Sequence, residues 1–247
     1  MKRLFLPNTT MKFISATIIF FFSLLGCDDD PNPAPAPTEL TEKADVANDW
    51  YGLQLRFLLE RNSTLNGYWF GHLGIGLYES VRNGIPGYAS LSTLLNQMPA
   101  MPAVLPNTTY YWPESANAAM ADMLRALNVG LTAANTASID SLENAYNIKL
   151  KPLATDAASF DRAQLYGRSI AKAMIDWYKL DNSNLSNTGY VPPVGLGLWQ
   201  PTPPANANGI MPFVGTAKTF LAVHSSLTIS PFPFTYSEDI SSDFYKM

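Results

Sequence analysis

The chain has 247 residues, 47% hydrophobic and 15% charged, with a formal net charge of −4 and a single cysteine. It is long and apolar enough for one large domain or two small ones, which excludes a wholly disordered chain. A pI of about 5.1 leaves no basic footprint for nucleic acid. One cysteine cannot close an internal disulfide, and two histidines, His72 and His224, are too few for a self-contained histidine metal site.

The N-terminus reads as an address. Lys2 and Arg3, or Lys12 if translation starts at Met11, give a positive region, followed by an apolar run from Phe13 to Leu25. As a helix that run spans about 20 Å, short of the roughly 30 Å hydrocarbon core, so a signal peptide is expected rather than a spanning helix. The run closes on Leu24-Leu25-Gly26-Cys27, which resembles the bacterial lipobox. The resemblance implies cleavage after Gly26 and lipidation of Cys27, which would hold an exported lipoprotein at a membrane, the outer membrane or the cell surface. Position, the small preceding residue and the polar continuation all favour this over a plain signal peptide with an incidental cysteine. Asp28-Asp29-Asp30 and the alternating prolines Pro31 to Pro37 then read as an extended tether. Residues 1–26 are thus the leader and 27–41 the tether.

Residues 42–181 read as helices. From Asp45 to Glu60, Val46, Trp50, Leu53 and Phe57 recur at three and four residues. Asn62 or Ser63 can cap a second helix running to about Asn83, with Trp69, Leu73, Leu77 and Val81 on one stripe. Gly67, Gly71, Gly74 and Gly76 weaken that helix by propensity and make sense where another backbone packs close. Asn83-Gly84-Ile85-Pro86-Gly87 predicts a glycine C-cap, and residues 86–113 a Pro-punctuated connection. A third helix runs from Pro113 to about Val129, with Ala116, Met120, Met123, Leu124 and Leu127 inward. A shorter one is marked by Ile139, Leu142 and Tyr146. The longest runs from about Ala157 to Leu180, with Phe160, Ala163, Tyr166, Ile170, Met174 and Trp177 inward. No alternating β-run of useful length interrupts them, so the class is all-α, a helical bundle.

After Asp181 the character changes. Eight of the nineteen prolines lie between Pro192 and Pro233, and no helical period survives in 182–247. Irregular segments of this length drape over something or carry function.

One stretch carries a family resemblance: Gly189-Tyr190-Val191-Pro192-Pro193-Val194-Gly195-Leu196-Gly197-Leu198-Trp199-Gln200-Pro201-Thr202-Pro203-Pro204. Together with Gly71-His72-Leu73-Gly74-Ile75-Gly76-Leu77-Tyr78-Glu79-Ser80 and Tyr111-Trp112-Pro113, it resembles the N-terminal half of bacterial vanadium-dependent haloperoxidase-like proteins of the type 2 phosphatidic acid phosphatase superfamily. The resemblance covers about residues 45 to 247. It implies that a complete protein binds vanadate, or phosphate as substrate, within a helical bundle, and either oxidises halide with peroxide or hydrolyses phosphomonoesters. The superfamily's catalytic blocks are Lys-x6-Arg-Pro, Pro-Ser-Gly-His and Ser-Arg with a later His, and this chain contains no Arg-Pro, Ser-Gly-His or Ser-Arg. Gly71-His72 follows Phe70, not Ser. No catalytic, cofactor-binding or metal-ligating residue is therefore assigned, no cofactor is expected in this chain alone, and the chain alone is expected to be inactive. The bundle is expected to be incomplete. Ser241-Ser242-Asp243-Phe244-Tyr245-Lys246-Met247 reads as the cap and first turn of a further helix, which would lead into a missing C-terminal half. The rival reading is a non-enzymatic surface lipoprotein that binds a glycan or protein partner through its aromatic-rich segment.

Single residues have plainer roles. His72 beside the Trp69/Leu73/Leu77 stripe reads as a core or interhelical hydrogen-bonding histidine. Glu79 reads as a helix-surface partner of His72 or Arg82. His224 with Ser225 and Ser226 lacks the spaced carboxylate of a triad. Gly195-x-Gly197 precedes no helix and is no nucleotide fingerprint. Trp199 is expected to stack on the prolines as packing, or else to face a ligand.

Overall fold

The computed structural model describes residues 42–61, 66–181 and 187–247. The leader, Cys27, the Pro-rich tether and the proposed caps Asn62 and Ser63 lie outside the described residues. Among those described there is no strand, and the fold is all-α.

Five helices form the body. α1 (Asp45–Glu60) buries Val46, Trp50, Leu53 and Phe57, the stripe legible in its spacing, together with Gln54 and Leu58. α2 (Asn66–Val81) buries Trp69 and Leu73, with Leu77 and Val81 half-buried at its end. α3 (Trp112–Leu127) starts with Pro113 in its first turn, where a missing N–H costs nothing. It is buried nearly all round from Glu114 to Ala121, and it alone packs against each of the other four. The small residues Ala116, Ala118, Ala119 and Ala121 let those neighbours approach. α4 (Ala133–Leu150) is capped by Thr132, whose side chain accepts from Asn135 N at 3.1 Å. α5 (Ala157–Lys179) opens with a reciprocal cap: Ser159 N donates to Asp156 Oδ1 at 2.6 Å, and Asp156 N to Ser159 Oγ at 3.3 Å. Its inward face is Phe160, Ala163, Tyr166, Ile170, Met174 and Trp177, as the sequence period requires.

Two local expectations need correction. Gly84 does not cap α2 in a left-handed conformation. The helix tightens into a 3₁₀ turn, Arg82–Gly84, and Ile85 leaves it extended. Gly84 is there for close approach, because the Trp112 indole lies against its Cα and an added Cβ would overlap the ring. And α4, expected to be short, has 18 residues.

Residues 187–247 carry 3₁₀ turns at Val214–Thr216 and Ala222–Ser226 and one terminal helical turn, α6 (Asp243–Lys246), capped by Ser242. None of these residues is buried. Most of the large apolar side chains that the described residues expose lie here, Val194 and Ile229 being 93% and 94% exposed. Polar anchors tie the segment to the body at its middle: Lys218 N donates to Asp181 O at 2.9 Å, and Asn96 N to Phe220 O at 2.8 Å.

Candidate functional site

The polar groups that could do chemistry gather in three buried places. The first is the junction between the body and the 187–247 segment. His72, on α2, is 1% exposed and sits 3.0 Å from Asp181 Oδ2 through Nε2. Lys218 Nζ reaches the other oxygen of Asp181 at 2.8 Å, lies 4.2 Å from the centre of the Trp177 ring, and donates to Trp177 O at 3.4 Å. Aromatic rings close the cluster. Trp177, Tyr178 and Phe220 lie 5.4, 5.3 and 4.9 Å from the imidazole, and Trp177 Nε1 is tied to Asn96 O at 2.9 Å. Phe220 lies over Gly71, where a Cβ would come within 2.9 Å of the ring, so the close approach at this glycine is made by a side chain and not by the backbone that was expected. His72 is thus a core histidine joining α2 to the end of α5. Its carboxylate partner and the lysine come from residues the sequence left unmarked, because spacings of this length carry no local signal.

The second is Glu79, fully buried rather than on the helix surface as its sequence position suggested. It takes Arg82 Nε at 2.6 Å, Ser90 Oγ at 3.0 Å and Leu91 N at 2.7 Å, so the carboxylate is fully used in pinning the loop after α2.

The third is Glu114, in the first turn of α3 and fully buried. Gln164 Nε2 of α5 donates to its Oε1 at 2.9 Å, and Asn117 Nδ2 to its Oε2 at 3.3 Å. Arg168 lies nearby but is held by Asp122 and Glu143 at 2.7 Å each, and Arg125 by Asp122, Asp140 and Glu143. Burial pushes the Glu114 carboxyl up to about 7, only partly opposed by the amides of Gln164 and Asn117, with Glu143 adding to the rise and Arg168 countering it.

Other predicted positions are not drawn together. His224 is exposed, and the hydroxyls of Ser225 and Ser226 donate to Ala222 O and Val223 O. Trp199 is half-exposed over Gly209, beside Tyr190. An open cavity of about 500 Å³ lies between Val46, Leu77, Val81, Tyr111 and Trp112. Among the described residues no three metal-ligating side chains converge.

No family model and no curated protein matches the sequence. Among solved structures the chain is similar to the crystal structure of the first bacterial vanadium-dependent iodoperoxidase, with a TM-score of 0.67 and 22% identity. The fold is haloperoxidase-like. The match takes in 81% of this chain and 48% of the iodoperoxidase, so the chain spans about half the length of the solved structure it matches. At that coverage the match takes in most of the helical body.

Proposed function

We propose that this chain is the lipid-anchored N-terminal part of a vanadium haloperoxidase- or acid phosphatase-like protein, contributing helical scaffold rather than the catalytic anion site. The observation that carries the reading is the shared fold over 81% of this chain against 48% of the iodoperoxidase. The apolar exposure of residues 187–247 supports it, because a further half of the same polypeptide would cover that surface.

Vanadate is an oxyanion and is held by converging cations that no carboxylate already occupies. Among the described residues Lys218 is engaged by Asp181, Arg82 by Glu79, and Arg125 and Arg168 by Asp122 and Glu143, which leaves Arg61, with its buried Nη2 unpartnered, as a single cation rather than a converging set. These residues do not fit vanadate, and no step through it is assigned to them. What they do is hold helices in register around α3.

The mature chain from Cys27 is expected to retain no stoichiometric vanadium by elemental mass spectrometry and to turn over neither halide with peroxide nor a phosphomonoester. Stoichiometric retention or turnover would end the scaffold reading. Labelled fatty acid is expected to enter the chain and to be lost with Cys27→Ser, with the protein leaving the membrane fraction. Undiminished labelling in that variant would remove the anchor.

A further inference from the structure

Glu114 is a buried acid for which the scaffold reading has no use, and its surroundings fix more than its burial. Trp50 Nε1, a donor only, donates to Asn117 Oδ1 at 3.0 Å. That contact orients the Asn117 amide, so its NH2 group faces Glu114 and Asn147. One terminal atom of the Asn147 side chain lies 3.0 Å from Asn117 Nδ2, 3.0 Å from Glu114 Oε1 and 3.1 Å from Glu114 Oε2. Facing a fixed NH2, that atom must be the amide oxygen. Two carboxylate oxygens beside an amide oxygen would be three acceptors with nothing between them, a costly arrangement in a buried site. A proton on Glu114 resolves it. Oε1 accepts from Gln164 at 2.9 Å, whereas Oε2 has only the longer contact from Asn117 at 3.3 Å, so the proton belongs on Oε2, pointing at Asn147 Oδ1. If Glu114 ionises, the better partner is the Asn147 NH2, and the amide must turn over, now donating to the carboxylate but abutting the Asn117 NH2. Each protonation state therefore selects one orientation of an α4 side chain.

We propose that Glu114 is a proton-controlled joint between α3, α4 and α5: the protein folds with the Glu114 proton shared with Asn147, and loss of that proton turns the Asn147 amide and loosens α4. The charged and titratable groups facing the joint are Glu143 from α4, Arg168 from α5 and Tyr111 from the turn before α3. Glu143 is itself paired with Arg125 and Arg168, so no cation forms an ion pair with an ionised Glu114 and Arg168 compensates it only in part.

The sign follows from linkage. The folded acid holds its proton to about pH 7, whereas the unfolded one releases it near its ordinary value of 4.5. The stabilisation from this group is full below about 4.5, declines as pH rises, and is gone above about 7. Over that window the folding equilibrium constant of the full chain is expected to fall on the order of a hundredfold relative to Glu114→Gln, whose amide imitates the neutral acid. Both histidines are unchanged in the pair, so the difference curve isolates Glu114. In the wild-type chain, carboxyl-detected NMR is expected to give Glu114 a midpoint well above the exposed glutamates, with the Asn147 side-chain amide resonances moving at the same midpoint. A Glu114 midpoint among the exposed glutamates, an Asn147 amide that does not follow it, or parallel stability curves for the two proteins would each overturn the proposal. Should E114Q fail to fold, the two NMR titrations decide alone.

Discussion

Gly167 is where the helix packing can be tested most sharply. It lies on α5 against the α3 backbone, and an added Cβ would sit 2.9 Å from Ser115 C, 3.0 Å from Ser115 Cα and closer still to Ser115 O. Ordinary contact begins near 3.4 Å, so Gly167→Ala must part the two helices by several tenths of an ångström or more. Nothing there gives easily. Ser115 Oγ is bonded to Ser80 O of α2 at 2.7 Å, and Gln164, one turn back on α5, is bonded to Glu114. Alanine gains about 1 kcal/mol over glycine in a helix interior, while overpacking of this kind costs about 1–3 kcal/mol and loosens the contacts on either side. The overlap with backbone places the cost at the upper end, for a net loss of about 2 kcal/mol. For a body of this size that lowers the melting temperature by roughly 4–8 °C. The control is Gly52→Ala on α1, where a Cβ meets nothing within 4 Å and the same chemistry should stabilise by about 0.5–1 kcal/mol. Urea and thermal unfolding followed by circular dichroism read both variants. A Gly167→Ala protein as stable as wild type, beside a stabilised Gly52→Ala protein, would refute the close α3–α5 approach.

The remaining expectations follow from the polar clusters. Lys218→Met takes the cation from Asp181 and should raise hydrogen exchange at the Asn96 and Lys218 amides at least tenfold, because both bond across the junction; unchanged protection would contradict its anchoring role. Trp50→Phe leaves Asn117 Oδ1 without its donor and a gap beside it, costing about 2–3 kcal/mol by urea unfolding. Glu143→Gln should cost about 1 kcal/mol or less, because Arg125 keeps Asp122 and Asp140 and Arg168 keeps Asp122. The same variant should lower the Glu114 midpoint by removing a neighbouring negative charge, and a raised midpoint would contradict that coupling.

How far these features could be read in the sequence depends on whether their cause is local. α1 and α5 were legible because apolar side chains alone mark their inner faces, at every third or fourth residue. α4 was underread because its buried stripe is Asn135, Ile139, Glu143, Tyr146 and Leu150, with polar residues at two of its steps that break the apolar period. Glu114 drew no notice in the sequence, because the helix dipole favours an acid in a first turn anyway, and only the packing of α4 and α5 over it makes it a buried one. Glu79 failed for the same reason, its cover coming from the loop at Ser90 and Leu91. Of the junction only the core place of His72 was legible, because Asp181 and Lys218 meet only once residues far apart in the chain have docked. The resemblance to haloperoxidase-like proteins, drawn from residues near 75, 112 and 195, agrees with the fold that the structure shares with the iodoperoxidase.

The Phe220 ring has a practical consequence. It fills the space between Gly71, His72 and Trp177, so an element without regular structure supplies the plug for a hole in the helical part. A fragment trimmed at the last residue of α5 would look tidy in a secondary-structure diagram yet leave a buried histidine and an indole facing water. Any shortened version meant for crystallisation or labelling should therefore keep the chain at least as far as Leu221, and its solubility would be a direct gauge of that plug.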